Sequence, residues 1–150
     1  MRILALDIGT SMGWACKDGK TLSSGVWDHS TRNHIHLGYK YVSIWESLEA
    51  FKKVRGLPDF LVYERPGNLF GNARKVLPAI QGILELWGLL NGVTIKSYLA
   101  TEVKKYACKG NAKKEDMIKT ASIRWPDKKF KTHDECDAWW LLDFYIEMKS

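Results

Sequence analysis

The 150-residue chain is short of cysteine, has no long apolar run and carries no low-complexity tract. Its three cysteines, Cys16, Cys108 and Cys136, are odd in number and form no C-x-x-C. Neither a disulfide framework nor a structural zinc site is indicated, and all three read as small buried hydrophobes. No segment approaches the ~20 apolar residues that cross a bilayer, so no membrane partner is expected. The N-terminal apolar run meets a carboxylate already at Asp7, too early for a signal peptide. The expectation is a cytosolic protein, of a bacterium or a phage-infected host. Acidic residues are outnumbered: Lys plus Arg is 23 and Asp plus Glu is 17, a net charge of +6 that favours a polyanionic partner.

What is present is an ordinary globular composition, 45% hydrophobic and 27% charged, which excludes wholesale disorder. At this length one domain spanning residues 1–150 is expected. Arg2 to Asp7 reads as a buried strand, Met12 to Lys17 as a second and Thr21 to Trp27 as a third. Asp18-Gly19 is a hairpin signal between the last two. His29 to Gly38 is polar and reads as a loop. Tyr41, Ile44, Trp45, Leu48 and Phe51 follow helical spacing within Tyr39 to Arg55. Phe60 to Glu64 is another short strand, and Arg65-Pro66-Gly67-Asn68 forces a loop.

A helix from about Asn72 to Leu90 contains Pro78, which either kinks or restarts it. Thr94 to Ser97 is a fifth strand. Thr101 is a candidate cap for a helix through Cys108, and Lys113 to Trp125 forms another helix. Thr132-His133-Asp134-Glu135 fits a capping box that opens a last helix to about Met148. The order βββαβαβααα predicts a mixed α/β domain.

Two apolar strands end in carboxylates, Asp7 and Glu64. Ligands collect beyond the carboxyl ends of strands in open α/β sheets, so neighbouring strands would project both acids into one crevice. Taken singly, Asp7 also suits a turn or cap, and Glu64 a salt bridge to Arg65 or a lysine. Asp134 and Asp137 share one face of the last helix. Acids near a helix N-terminus are stabilised by its dipole, by roughly 0.3–1 kcal/mol, and Glu135 fits that reading. Asp137 fits it less well, because it leads into Ala138-Trp139-Trp140-Leu141-Leu142. Asp7, Glu64, Asp134 and Asp137 together supply hard oxygen donors from three elements, a set that can hold two Mg²⁺ (or Mn²⁺) for in-line phosphodiester cleavage.

In these residues the chain resembles the RuvC-type Holliday junction resolvases, in the short form found in phages, within the RNase H-like superfamily. The resemblance rests on Ile3-Leu-Ala-Leu-Asp-Ile-Gly-Thr-Ser11, Leu61-Val-Tyr-Glu64, Thr101-Glu-Val-Lys104, Gly110-Asn-Ala-Lys-Lys114 and Asp134-Glu-Cys-Asp-Ala138, and spans nearly the whole chain. It implies an RNase H-like fold: a central mixed five-stranded sheet, three strands antiparallel and then two parallel, flanked by helices. It implies a Mg²⁺-dependent endonuclease that resolves four-way and other branched DNA, with Asp7, Glu64, Asp134 and Asp137 as metal ligands. Lys104 and Lys114 match basic residues near the scissile phosphate, with Lys113 able to replace Lys114. Each also admits the weaker reading of a solvated lysine on a helix face. His133 is adjacent, and also fits a plain first-turn residue.

Family members place a wedging aromatic soon after the strand-end Glu. Here Leu69 and Phe70 are the candidates beside the basic Arg65, although Phe70 also suits the core of the following helix. Lys105, Lys109 and Lys113 extend the basic surface for DNA, and Lys128, Lys129 and Lys131 form a second group. The resemblance further implies a homodimer. The 72–90 helix, apolar around much of its circumference, permits that, or else is fully buried. Asp7-Ile8-Gly9-Thr10 also opens sugar kinases and actin-like ATPases. Those need a second phosphate loop that this chain lacks, so no nucleotide cofactor is expected. A non-catalytic junction binder would need no intact carboxylate set.

Overall fold

An unbroken apolar run builds the middle of the sheet. The computed structural model describes residues 1–30, 36–65, 67 and 69–149. Part of the expected loop after His29 (31–35), together with Pro66 and Asn68 of the expected loop after Arg65, lies outside the described residues. Strand β1 (Arg2–Asp7) has Leu4, Ala5 and Leu6 without solvent exposure, as a strand covered on both faces requires. It pairs antiparallel with β2 (Ser11–Asp18), which pairs antiparallel with β3 (Thr21–Asp28). On its other side β1 runs parallel to β4 (Phe60–Arg65), and β4 parallel to β5 (Thr94–Leu99). The five-stranded order is β3-β2-β1-β4-β5, the mixed sheet expected from sequence. The hairpin differs in detail. Asp18 pairs with Thr21, so the two loop residues are Gly19 and Lys20, and Gly19 supplies the positive φ of 61°.

One sheet face is covered by α1 (Gly38–Arg55) and α2 (Ala73–Asn91). Ile44, Leu48 and Phe51 of α1 and Val76, Ile80, Leu84 and Trp87 of α2 are buried there against Leu4, Leu6, Leu61 and Tyr63. Burying Ile80 or Leu84 contributes roughly 1.5–3 kcal/mol each. Pro78 neither ends nor restarts α2; the helix runs through it, with Pro78 on the exposed side. Nor is α2 fully buried: Leu86, Leu89 and Leu90 are 52%, 82% and 66% exposed.

The other face is covered by α3 (Ala100–Ala107), α4 (Lys114–Arg124) and α5 (His133–Lys149). β5 runs straight into α3. The candidate cap Thr101 is therefore already helical, and Glu102 closes the end by accepting a 2.8 Å bond from the Leu99 N–H. At α4, Asp116 accepts a 2.9 Å bond from the Lys113 N–H in the same way. Helix α5 is buried nearly all round, through Cys136, Ala138, Trp139, Trp140, Leu141, Leu142 and Tyr145, so it shows no amphipathic stripe. Cys16 and Cys136 are buried as expected. Cys108 is exposed instead, because it follows the last turn of α3 on the surface.

The start of α5 is pinned by the buried Glu135, 3% exposed. Its own N–H bonds Thr132 Oγ1 at 3.2 Å, which is half of the expected capping box. Its carboxylate turns elsewhere, accepting from Ser24 Oγ at 2.6 Å and from the Lys131 N–H at 2.7 Å, and so ties the helix to β3. Glu135→Ala removes both acceptors and leaves two donors without partners. It should lower stability by about 2–3 kcal/mol in urea denaturation; a loss under about 0.5 kcal/mol would show that the carboxylate does not anchor the helix.

Candidate active site

Side-chain alternation decides which face carries the acids. Along β1, Leu4 and Leu6 pack toward α1 and α2, whereas Ile3 and Ala5 pack toward α5. Asp7 continues the second set. Along β4, Leu61 and Tyr63 face α1 and α2, Val62 faces the α5 side, and Glu64 follows Val62. Leu6 pairs with Tyr63, so Asp7 and Glu64 are the next residues of adjacent parallel strands. Both carboxylates therefore leave the same end of the sheet on the face under α5.

Gly13 brings α5 to them. It is the register partner of Asp7, and a Cβ added to it would overlap the backbone carbonyl of Asp134. Only glycine lets the helix start rest on the strand this closely. Asp134 is thereby within hydrogen-bonding range of Asp7, and Asp137 lies one turn further along. A glycine inside an otherwise apolar strand was the available sequence signal for this contact, and it was missed.

The four carboxylates sense each other. Burial first, then the fields of Glu64, Asp137 and Asp134, hold Asp7 well above the usual carboxylate range, and its hydrogen bond to Asp134 adds to the shift. Burial and the charge of Asp137 push Glu64 from 4.5 up to about 7, against the opposing field of Lys104. Burial pushes Asp137 from 3.8 up to about 6. Asp134 adds to that rise, while His133, Lys104 and Lys114 oppose it. These are the signs of acids crowded into low dielectric without enough positive charge. Among the described residues no three acidic, His or Cys side chains are already drawn into a metal-holding group. Hard oxygen donors that raise each other's pKa are the donor set a divalent cation suits.

A cleft of about 570 Å³ opens beside Glu64 and Asp137, lined by Lys104, Lys113 and Lys114, with Asn111 and Glu115 at its edge. Asn111 falls within the Gly110–Lys114 motif but, like Glu115, is not among the expected site residues. Lys104 and Lys114 arrive on different helices, α3 and α4. Both helices are clamped to α5: the Tyr106 hydroxyl donates to Asp143 at 2.7 Å, and Arg124 pairs with Asp143 at 2.9 Å. His133 Nε2 lies 3.8 Å from an Asp134 oxygen. Lys105 and Lys109 are exposed nearby but do not line the cleft. Arg65 is exposed at the end of β4. Phe70 precedes α2 and is 80% exposed, so it is not a core residue of that helix; Leu69 is half-buried. A depression of about 730 Å³ at the opposite end of the sheet includes Asp59, whose carboxylate is occupied by the Arg2 N–H at 2.7 Å.

A mixed five-stranded sheet of this order, with helices on both faces and acids at the ends of β1 and β4, belongs to the RNase H-like fold class. Within that class the chain is similar to the Thermus thermophilus RuvC structure: TM-score 0.72 at 19% identity, covering 99% of this chain and 97% of that one. It is similar also to T. thermophilus RuvC in complex with Holliday junction substrate, with TM-score 0.75, 20% identity and coverage of 99% and 96%. The fowlpox virus Holliday junction resolvase matches with TM-score 0.61, 17% identity and 99% coverage of both chains. No protein-family model and no curated protein sequence matches. At these identities the likeness establishes the fold.

The raised acids make a linkage prediction. Protons stabilise the fold fully below the ordinary values near 4, and that stability is lost as pH rises through about 6 to 7. Glu64→Gln and Asp137→Asn should therefore each stabilise the metal-free protein at pH 8 by on the order of 2 kcal/mol. The gain should vanish near pH 4. Urea denaturation in EDTA measures it, and unchanged or lower stability at pH 8 would contradict the crowding described above.

Proposed function

We propose that this chain is a divalent-metal-dependent endonuclease, acting as a single domain, that cleaves four-way DNA junctions. The observation that carries the reading is the meeting of Asp7, Glu64, Asp134 and Asp137 in one another's fields, from β1, β4 and α5, beside a lysine-lined cleft. Two of the similar structures, one of RuvC and one of the fowlpox resolvase, hold Holliday junction DNA, which supports the choice of substrate.

Asp7, Glu64, Asp134 and Asp137 would hold the ions, Mg²⁺ or Mn²⁺, two per site. When bound, such ions stabilise charge on the attacking and leaving oxygens of a phosphodiester. The chain's own contribution is positional. Asp7 and Glu64 are fixed by strand pairing, and Asp134 and Asp137 by the seating of α5 on Gly13. Lys104 and Lys114 oppose the acids' charge and stand ready to neutralise a phosphate entering the cleft. Arg65, Lys105, Lys109 and Lys113 extend the positive surface to the DNA backbone. Phe70, exposed ahead of α2, is the apolar group proposed to enter between base steps, with its neighbour Leu69.

A non-catalytic binder would gain nothing from acids held above their usual range, since unneutralised carboxylates repel phosphate. Leu86, Leu89 and Leu90 form an exposed apolar strip on α2, suited to a two-fold copy of the same chain, whose second site would face the opposed strand of a junction. Among the described residues no helix is long and apolar enough to cross a membrane.

Purified protein with Mg²⁺ should nick synthetic four-way junctions on opposed strands, and EDTA should stop it. Asp7→Asn should cut about a hundredfold more slowly or worse while still binding the junction. Undiminished cleavage by that variant removes Asp7 from the reaction. In sedimentation, wild-type protein should be dimeric and Leu86→Glu/Leu89→Glu monomeric. A monomeric wild type would dismiss the α2 interface.

A further inference from the structure

The lysines between α4 and α5 play no part in the carboxylate cleft, yet their loop is built with care. The Lys128 N–H bonds the Trp125 carbonyl at 3.1 Å, and the Lys131 N–H bonds the buried Glu135 carboxylate at 2.7 Å. The Phe130 ring stands edge-on to Trp139 at 6.0 Å. The Lys128 ammonium lies 4.7 Å over Trp139 and 3.8 Å from Glu135. Lys128 is thus consumed in holding the loop, whereas Lys129 and Lys131 are exposed.

Between this loop and α4 runs a groove of about 580 Å³, walled by Ile118 and Phe130 and ending at His133. Among the described residues no carboxylate lines it. His133 begins α5 and lies 3.8 Å from Asp134, so the groove leads directly to the carboxylate site. The lysine-lined cleft takes Lys114, Glu115 and Met117 from the first turn of α4; this groove takes Ile118 and Ser122 from the turns that follow. Cleft and groove are thus both lined by residues of α4 and of the start of α5.

We propose that the groove is a second phosphate track, holding the backbone of the DNA arm that leaves the cleavage site past His133. The proposal rests on the nuclease reading. Charge complementarity selects the occupant: the exposed ammonium groups of Lys129 and Lys131 suit phosphates, and the apolar wall suits deoxyribose faces. Lysine ammonium groups reach phosphate oxygens but distinguish no bases, so the track reads charge rather than sequence.

The test is binding of a fluorescent four-way junction in EDTA, followed by anisotropy across a salt series. Lys129→Ala/Lys131→Ala should bind about tenfold more weakly at physiological salt, with the log–log salt slope shallower by about 1.8, that is about 0.9 for each lost phosphate contact. The loss should be equal for junctions of different sequence. Lys129→Arg/Lys131→Arg should restore affinity, and Lys53→Ala, exposed on α1, should change nothing. Wild-type affinity and slope in the double-alanine variant, or failure of the arginine pair to restore binding, overturns the track while leaving the nuclease reading intact. A wild-type protein that binds no junction overturns both.

Discussion

The contact between the start of α5 and the bare backbone of Gly13 is the constraint on which the site depends. Strand pairing alone would deliver only Asp7 and Glu64 to the end of the sheet. The other two acids lie some seventy residues further along the chain than Glu64, on a helix that must cross the sheet at one particular place. Any side chain at position 13 would lift that helix by its own thickness and part Asp134 from Asp7. Small residues continue the theme: Ala5 and Ala15 occupy the sheet face beneath α5, which leaves room for its large aromatic side chains.

Gathering acids in this way costs stability, and the surrounding structure bears the load. Repulsion tends to push α5 off the sheet. Opposing it are the buried Glu135 bonds to Ser24 and Lys131. An aromatic cluster along the helix adds to them, with Trp125 and Trp140 centred 4.5 Å apart and Tyr106 edge-on to Trp140 at 6.1 Å. The Trp140 indole N–H also donates to the Met117 carbonyl at 3.0 Å, locking α4 against α5. These contacts form a frame that holds the acids together despite their repulsion. Lys104 and Lys114 reduce the repulsion without removing it, since Glu64 and Asp137 still stand near 7 and 6.

Much of the fold was legible along the chain, and the misses share one cause. β1 runs over Arg2–Asp7 as its apolar run indicates, and β3 ends one residue beyond its expected limit. Thr101 is helical rather than a cap because β5 continues without a loop into α3, which no local signal announces. Residue type alone points Cys108 to the interior, but its position just past a helix end puts it outside. Phe70 could be a core residue or a surface group, and only the start of α2 at Ala73 leaves it exposed. In each case the deciding feature is where an adjoining helix begins or ends.

The sequence by itself determined which segments are strands and helices, where the acids terminate them, and that positive charge predominates. These are properties of hydrophobic period, capping chemistry and composition, all of them local. Tertiary structure alone decided that four acids share one field, that Lys104 and Lys114 share one cleft, and that Lys128 serves the fold while Lys129 and Lys131 face solvent. Those facts depend on the distance between elements, and here that distance is set by a missing side chain at Gly13 and a buried carboxylate at Glu135, whose effect appears only once β2, β3 and α5 are in contact.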